Sequence, residues 1–485
     1  MTEHLKHYFY PRKMENSKLI ELLKTFSAKE LRECGDWVNS PFFNTNDEVT
    51  LLYDYLRKAA PNFSPKKIER ETVYKNLFGK KKYDEKHVNY LMSFLLKLTE
   101  QYIAYSQYTA NPVLENINLL QSYMQRGLDK HFHYIHENTE SKLQNFPHRN
   151  LDFFYLQYLL SETANRNFLR KNIRKYDARL QSAADYFDLF LLASKLKYFC
   201  EMQDRKMTLT ADYKLNMLAE ISAYFSQNDF SAYPGIVAYW LVLQTQEQPQ
   251  ETKHFFGLKE LLRKHSGAFP RAELRELYGY AINYCLRRVN AGELDFLKEL
   301  FSLYKETLGA ELLLEHGQIS FWTYKNIVGV ALRLRDFAWA ENFIRDYNSK
   351  LAEEFRENAL HYNLAELSFY KRDFDAAMTH LNRVEFSDIY YSFDTKKMMM
   401  KIYFEKEEID ALLSLIASFK VFIKRNQSVS EANKLAYENF ITVINQFLKY
   451  RLQRKAPELL DNIKNLKPLA DRSWLMEQYG KRFKG

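Results

Sequence analysis

Between Pro270 and Pro457 the chain contains no proline. Proline removes a backbone donor and clashes with the preceding helical turn, so a stretch free of it leaves long helices available. The whole 485-residue chain holds only thirteen glycines and eleven prolines. Together these are about 5% of the residues, where average usage gives roughly 12%. The shortage excludes collagen, Gly/Ser linkers, turn-rich β-barrels and long disorder. Hydrophobic residues at 46% and aromatic residues at 16% supply ample surface for a core.

Apolar spacing argues for helices directly. In Glu431 to Leu452, residues Tyr437, Phe440, Ile441, Ile444, Phe447 and Leu448 recur at steps of three and four. Ser428 and Glu431 stand ahead of them with capping-box spacing, as Ser27 and Glu30 do ahead of Leu31 to Val38. Alternating strand patterns are scarce. The expected fold is all-α, in three parts: an N-terminal helical module (1–110), a helical middle that continues the array (111–269), and helical repeats with C-terminal helices (270–485). Pro270 suits the first turn of the third part's opening helix.

The strongest internal signal runs from Tyr278 to Phe419. In His361 to Leu381, residues Leu364, Ala365, Phe374, Ala377 and Leu381 take small and apolar places around Asp373-Phe374-Asp375. The segment resembles a divergent tetratricopeptide repeat, with His361 and Ser368 replacing the usual Trp and Tyr. A preceding unit aligns Ile327, Val328, Phe337, Ala340 and Ile344 around Asp336. A following one aligns Met399, Met400, Ile409 and Leu412 around Glu408. A weaker one surrounds Glu293. The turn positions 293, 336, 373 and 408 are spaced by 43, 37 and 35 residues, near that family's period of about 34. The resemblance covers roughly 140 residues and implies helical hairpins stacked as an α-solenoid, with a concave face for a protein or peptide. It also implies that Asn283, Asn326 and Asn363, ten residues before their turns, hold a partner's backbone, since an amide both donates and accepts. The alternative is that these amides bond within their own hairpins.

Chemical motifs are missing. No two glycines are separated by one residue, so there is no dinucleotide fingerprint, and no Walker loop, HExxH or GxSxG occurs. His131, His133 and His136 form the densest histidine cluster, but only the last two share a helix face, and no Cys or carboxylate pair accompanies them. Glu251 and His254 form a lone ExxH. The aromatic stripe from Tyr186 to Phe199 has core spacing. No catalytic residue, cofactor or metal is expected. Cys34, Cys200 and Cys285 are far apart, which suits reduced, buried thiols in a cytoplasmic protein. The apolar run Ile236 to Leu243 is too short to span a bilayer, and Met1 to Lys13 lacks the apolar core of a secretory signal.

The formal charge is +9. Arg57 to Lys97 carries eleven Lys/Arg against four acids, with Lys80, Lys81 and Lys82 in a turn between helices at about 66–78 and 84–108. Arg166 to Arg179 reads as one amphipathic helix, with Leu169, Ile173, Tyr176 and Leu180 on one arc and Arg166, Arg170, Lys171, Arg174, Lys175 and Arg179 around it. Two functions follow. The first is a non-catalytic scaffold or adaptor that binds a protein or peptide on its repeat face. The alternative is a nucleic-acid-binding or transcription-regulatory protein that uses Lys80–Lys82 and the Arg166–Lys175 cations on phosphates.

Overall fold

The computed structural model describes residues 14–172, 175–208, 212–384, 389–426, 429–453 and 455–483. These are helical almost throughout. The chain divides into two compact units. One comprises the described residues up to Pro147 together with Leu151–Leu191, and the other His148–Asn150 and the residues from Leu192 onward.

The first unit contains α1 (Lys18–Leu23), α2 (Ala28–Val38), α3 (Asp47–Ala59), α4 (Arg70–Phe78), α5 (Glu85–Thr109), α6 (Pro112–Arg126), α7 (Asp129–Gln144), α8 (Leu151–Arg170) and the start of α9 (Ala178–Thr208). Helices α1 to α4 all pack on α5. The reason lies in α5 itself, whose Val88, Leu91, Leu95, Leu98 and Tyr102 recur every three or four residues and are all buried. The expected capping box at Ser27 and Glu30 is present, with bonds of 3.2 and 2.7 Å. Asp84 caps α5. Helices α6, α7 and α8 pack pairwise.

The second unit contains the rest of α9, then α10 (Leu218–Gln227), α11 (Pro234–Glu247), α12 (Thr252–Lys264), α13 (Arg271–Asn290), α14 (Phe296–Gly309), α15 (Phe321–Arg333), α16 (Phe337–Asn348), α17 (Glu353–Tyr370), α18 (Phe374–Leu381), α19 (Ile389–Glu405), α20 (Ile409–Arg425), α21 (Glu431–Lys449), α22 (Pro457–Asn465) and α23 (Arg472–Phe483). From α11 to α20 every helix packs against the next. In addition α11 meets α13, α15 meets α17, and α17 meets α19. The small residues act as the sequence suggests: Ala340, Ala365 and Ala377 have no exposed surface, nor do Ile327, Val328, Ile344 and Leu381. The only strands among the described residues are β1 (Leu314–Glu315) and β2 (Gln318–Ile319), a hairpin between α14 and α15.

The four turns anticipated from the sequence share one backbone geometry. Gly292, Arg335, Arg372 and Glu407 all have positive φ. After each, the next amide reaches five residues back: Glu293 to Arg288, Asp336 to Ala331, Asp373 to Ser368 and Glu408 to Tyr403, at 2.9–3.1 Å. The positive-φ residues themselves bond three back. This is the Schellman ending, which satisfies the last carbonyls of the first helix. Asp336 and Asp373 then cap the second helix through their carboxylates. The same ending closes α6 at Gly127 and α14 at Glu311.

Three local expectations are corrected. Pro270 is the N-cap of α13, one place before its first turn. Helix α21 is capped by Ser430, whose side chain accepts from the Asn433 amide, while Ser428 lies outside the described residues. The segment Arg166 to Arg179 is not one helix: α8 ends at Arg170, Asn172 takes a φ of 52°, and α9 begins at Ala178. Leu169, Tyr176 and Leu180, expected on a buried arc, are 62, 88 and 62% exposed. Ile173 and Arg174 lie outside the described residues. No helix among the described residues is long and apolar enough to cross a membrane.

Candidate functional site

The three asparagines do not share one environment. Asn283 and Asn326 are exposed on α13 and α15. Asn363 is fully buried in α17, and its amide donates to the Ala359 carbonyl at 2.7 Å. Its Oδ1 accepts no hydrogen bond among the described residues. Asn363 therefore bonds within its own helix, while Asn283 and Asn326 face solvent.

Lys80, Lys81 and Lys82 are exposed in the turn after α4, and Lys81 sits over the Phe78 ring at 5.4 Å. The second basic set is largely paired. Arg166 bonds Glu162 at 2.6 Å, Arg170 bonds Asp129 at 2.6 Å, and Lys171 lies 3.3 Å from the same Asp129. Lys175 is exposed. On α7, His136 stacks on Phe132 and is held below its ordinary pKa by burial. The described residues hold no group of three or more side chains suited to a metal ion.

A different cluster emerges one step out of register from the asparagines. Eleven residues before their turns stand Lys325, Tyr362 and Lys397, and seven before stand Gly329, Glu366 and Lys401. On one helix these places are four apart and share a face. Helices α15, α17 and α19 pack side by side, so the three faces form one surface. Asp394 adds a carboxylate from the first turns of α19. Tyr437 reaches in from α21, and Asp471 from the residue preceding α23.

The charges here are shared. Lys325 bonds Asp394. Lys397 lies 3.0 Å from Asp394 and 3.5 Å from Asp471, and Lys401 lies 3.1 Å from Asp471. The Tyr437 hydroxyl donates to Asp394 at 2.9 Å. Aromatic faces supply the remaining contacts: Lys325 lies 4.9 Å from the Tyr362 ring centre, and Lys401 4.6 Å from Phe369 and 5.3 Å from Trp474. Side-chain exposure is 19% for Lys325, 16% for Lys397, 11% for Lys401 and 10% for Asp394, so water screens these charges weakly.

Burial opposes ionisation of Asp394, but Lys325 and Lys397 overcome it and hold the carboxyl well below its usual range. The same contest, won by Lys397 and Lys401, leaves Asp471 at about 2. Lys397 is raised well above its ordinary value, because Asp394 and Asp471 outweigh its own burial. Glu366 moves the other way. Burial raises it, and Lys325 and Lys401 only partly offset that. Its Oε2 is enclosed and accepts no hydrogen bond among the described residues.

The sequence carried a faint trace of this site. Asp394, Lys397 and Lys401 follow an i, i+3, i+7 pattern on one face of a helix that is otherwise rich in buried Met, Ile and Phe. The partners could not be read locally, since Lys325 and Asp394 are 69 residues apart and Lys401 and Asp471 are 70 apart. No protein-family model matches this chain, and neither a curated protein nor a solved structure shows significant similarity to it.

Proposed function

We propose that the protein is a non-catalytic interaction scaffold whose helices α13 to α20 form a tetratricopeptide-like solenoid, with the inward surface of α15, α17 and α19 receiving a protein or peptide. The observation that carries this reading is the fourfold recurrence of one hairpin turn together with the alignment of Lys325, Tyr362, Lys397, Glu366 and Lys401 at two equivalent places of the repeat. A stack of identical closures supports a continuous face built from first helices. Asn283 and Asn326, both exposed, are further candidates for holding a partner's backbone. A cytoplasmic setting suits the three buried, unbridged thiols.

Affinity capture of the tagged chain from native lysate, with and without nuclease, tests the reading. Partners retained after nuclease treatment and lost on crowding the groove at Gly329 support it. Retention that ignores the groove removes it.

The second reading is nucleic-acid binding through the first unit. It is favoured by the three adjacent exposed lysines, Lys80–Lys82, which make no ion pair among the described residues. A salt-dependent gel shift that disappears when all three become Glu supports it. No binding to DNA or RNA at low salt sinks it.

A further inference from the structure

Helices α7, α8 and the first turns of α9 border a cleft in the first unit. Helix α7 packs against α8. Helix α9 meets α8 through the ring pairs Tyr155–Phe190 and Tyr158–Phe187, 5.2 and 5.3 Å between centres. Apolar stripes normally fill the space between such helices, but here the facing stripes are polar. Helix α7 contributes His136 and Glu140, four residues apart, α8 contributes Gln157 and Ser161, also four apart, and α9 contributes Arg179 and Ser182, three apart. The cleft between them measures about 230 Å³, with Leu160 and Ala164 as its apolar wall. Every residue in it belongs to the first unit, so the site does not depend on the scaffold reading of the second.

A smaller recess of about 40 Å³ adjoins the cleft. It shares His136, Ala164 and Arg179 with the cleft and adds His133, Asn167 and Lys171. None of the described residues that line it is a carboxylate. Its cations are partly engaged from outside. Lys171 lies 3.3 Å from Asp129 and Arg179 3.3 Å from Asp177, and Asp129 is shared with Arg170. An ammonium and a guanidinium carry several donors each, so both have donors left. Asn167 accepts from Arg170 through its Oδ1 at 3.3 Å, which leaves its amide hydrogens to give. His133 and His136 contact the Phe132 ring and make no hydrogen bond among the described residues.

We infer that the two cavities together bind a small phosphorylated polyol, such as a sugar phosphate, with the phosphate in the recess and the hydroxyls in the cleft. A phosphate monoester presents three strong acceptor oxygens, which suits the converging donors of His133, His136, Asn167, Lys171 and Arg179. The two oxygens of a carboxylate would leave part of that set unmet. Sugar hydroxyls both donate and accept, and the cleft offers both roles. The Gln157 amide can do either, and Glu140 accepts. Ser182 spends its hydrogen on the Ala178 carbonyl at 3.1 Å, so it too accepts. A nucleobase is held by stacking on aromatic faces, and the described lining of the cleft includes Tyr186 but no Phe or Trp. A volume of about 230 Å³ also falls below the roughly 300–1,000 Å³ of pockets for drug-sized ligands, which suits a body of sugar size.

Calorimetric titration of the full chain with glucose 6-phosphate, ribose 5-phosphate and glycerol 3-phosphate tests this, with glucose, inorganic phosphate and AMP beside them. The expected result is saturable binding of at least one of the three phosphorylated polyols, about tenfold or more tighter than glucose, inorganic phosphate or AMP. Arg179→Gln, at an exposed side chain that lines both cavities, weakens that binding by about tenfold or more. Ser161→Leu fills the cleft and weakens it similarly. Lys142→Gln removes an exposed cation of α7 that lines neither cavity, and leaves binding unchanged. Should Ser161→Leu unfold, the contrast between Arg179→Gln and Lys142→Gln decides the matter. Absence of binding by all three overturns the inference, as does binding no tighter than that of inorganic phosphate or AMP. Binding that Arg179→Gln leaves intact, or that Lys142→Gln weakens equally, overturns it as well.

Discussion

Arg166, Arg170 and Lys171 at the end of α8 carry the same charge as Lys325, Lys397 and Lys401 on α15 and α19, in opposite circumstances. The first three lie at the surface, each with a carboxylate one turn away or at the start of α7. Water screens such pairs, and each contributes about 0–1 kcal/mol. The second three divide two carboxylates among themselves in partly enclosed, aromatic surroundings. A charge left alone there costs several kcal/mol. Density of charge along the chain therefore points to the set where charge matters least.

The largest test of that contrast is a pair of truncations. Asp394→Ala strands Lys325, leaves Lys397 with Asp471 alone, and should cost about 3–5 kcal/mol in urea unfolding followed by circular dichroism. Asp129→Ala should cost less than about 1 kcal/mol. Equal losses would erase the distinction. Ile327→Ala, a core truncation two residues along α15 from Lys325, gives the yardstick at about 2–5 kcal/mol.

Acid sharpens the comparison next. Asp394 and Asp471 have folded pKa values held below those of the unfolded chain. Their contribution is complete above about pH 4, the unfolded carboxylate range, and is lost as pH falls toward about 2, the folded value of Asp471. A melting series should fall steeply in that window, and Asp394→Ala should flatten it. Glu366 has the reverse sign: its folded pKa is raised. The folded protein keeps a proton that the unfolded chain releases, so this contribution declines as pH rises past the unfolded value. Glu366→Gln should remove that decline and stabilise the chain on the alkaline side. A variant that follows the parent profile throughout would contradict the raised value.

The hairpin turns were legible because their determinants are local. Asp336 and Asp373 cap helices that begin at the next residue, and the apolar positions around them repeat. That α8 ends at Arg170 and α9 begins at Ala178 was not legible. No glycine or proline marks it, and the left-handed residue is Asn172. The asparagine row splits in the structure, with Asn283 and Asn326 exposed and Asn363 buried, since spacing fixes periodicity but not the rotation of a helix against its neighbours. The lysine cluster left only the faint i, i+3, i+7 trace of Asp394, Lys397 and Lys401, because the pairs of Lys325 with Asp394 and of Lys401 with Asp471 join segments 69 and 70 residues apart.

The smallest expected effect concerns the turns. Arg335, Arg372 and Glu407 hold a left-handed conformation that suits glycine, which Gly292 supplies at the first turn. Arg335→Gly and Arg372→Gly should each stabilise by about 0.5–1 kcal/mol in thermal melts. Destabilisation would mean that the arginine side chains contribute more than the conformation costs.

The unequal spacing of those turns has a consequence for how such a chain can change over time. The longest interval, 43 residues, includes the β1–β2 hairpin, whose tip at His316 and Gly317 takes positive φ at both residues. Extra length is lodged there, and Ile319 ties its end to the Lys350 carbonyl at 2.9 Å. The closing geometry of the neighbouring hairpins is the same as elsewhere. Novelty and constancy thus occupy separate addresses. A lineage can graft a longer loop at residues 316–317 without retuning the hairpins on either side, whereas one residue inserted between Leu332 and Asp336 would shift every later face relative to the one before it.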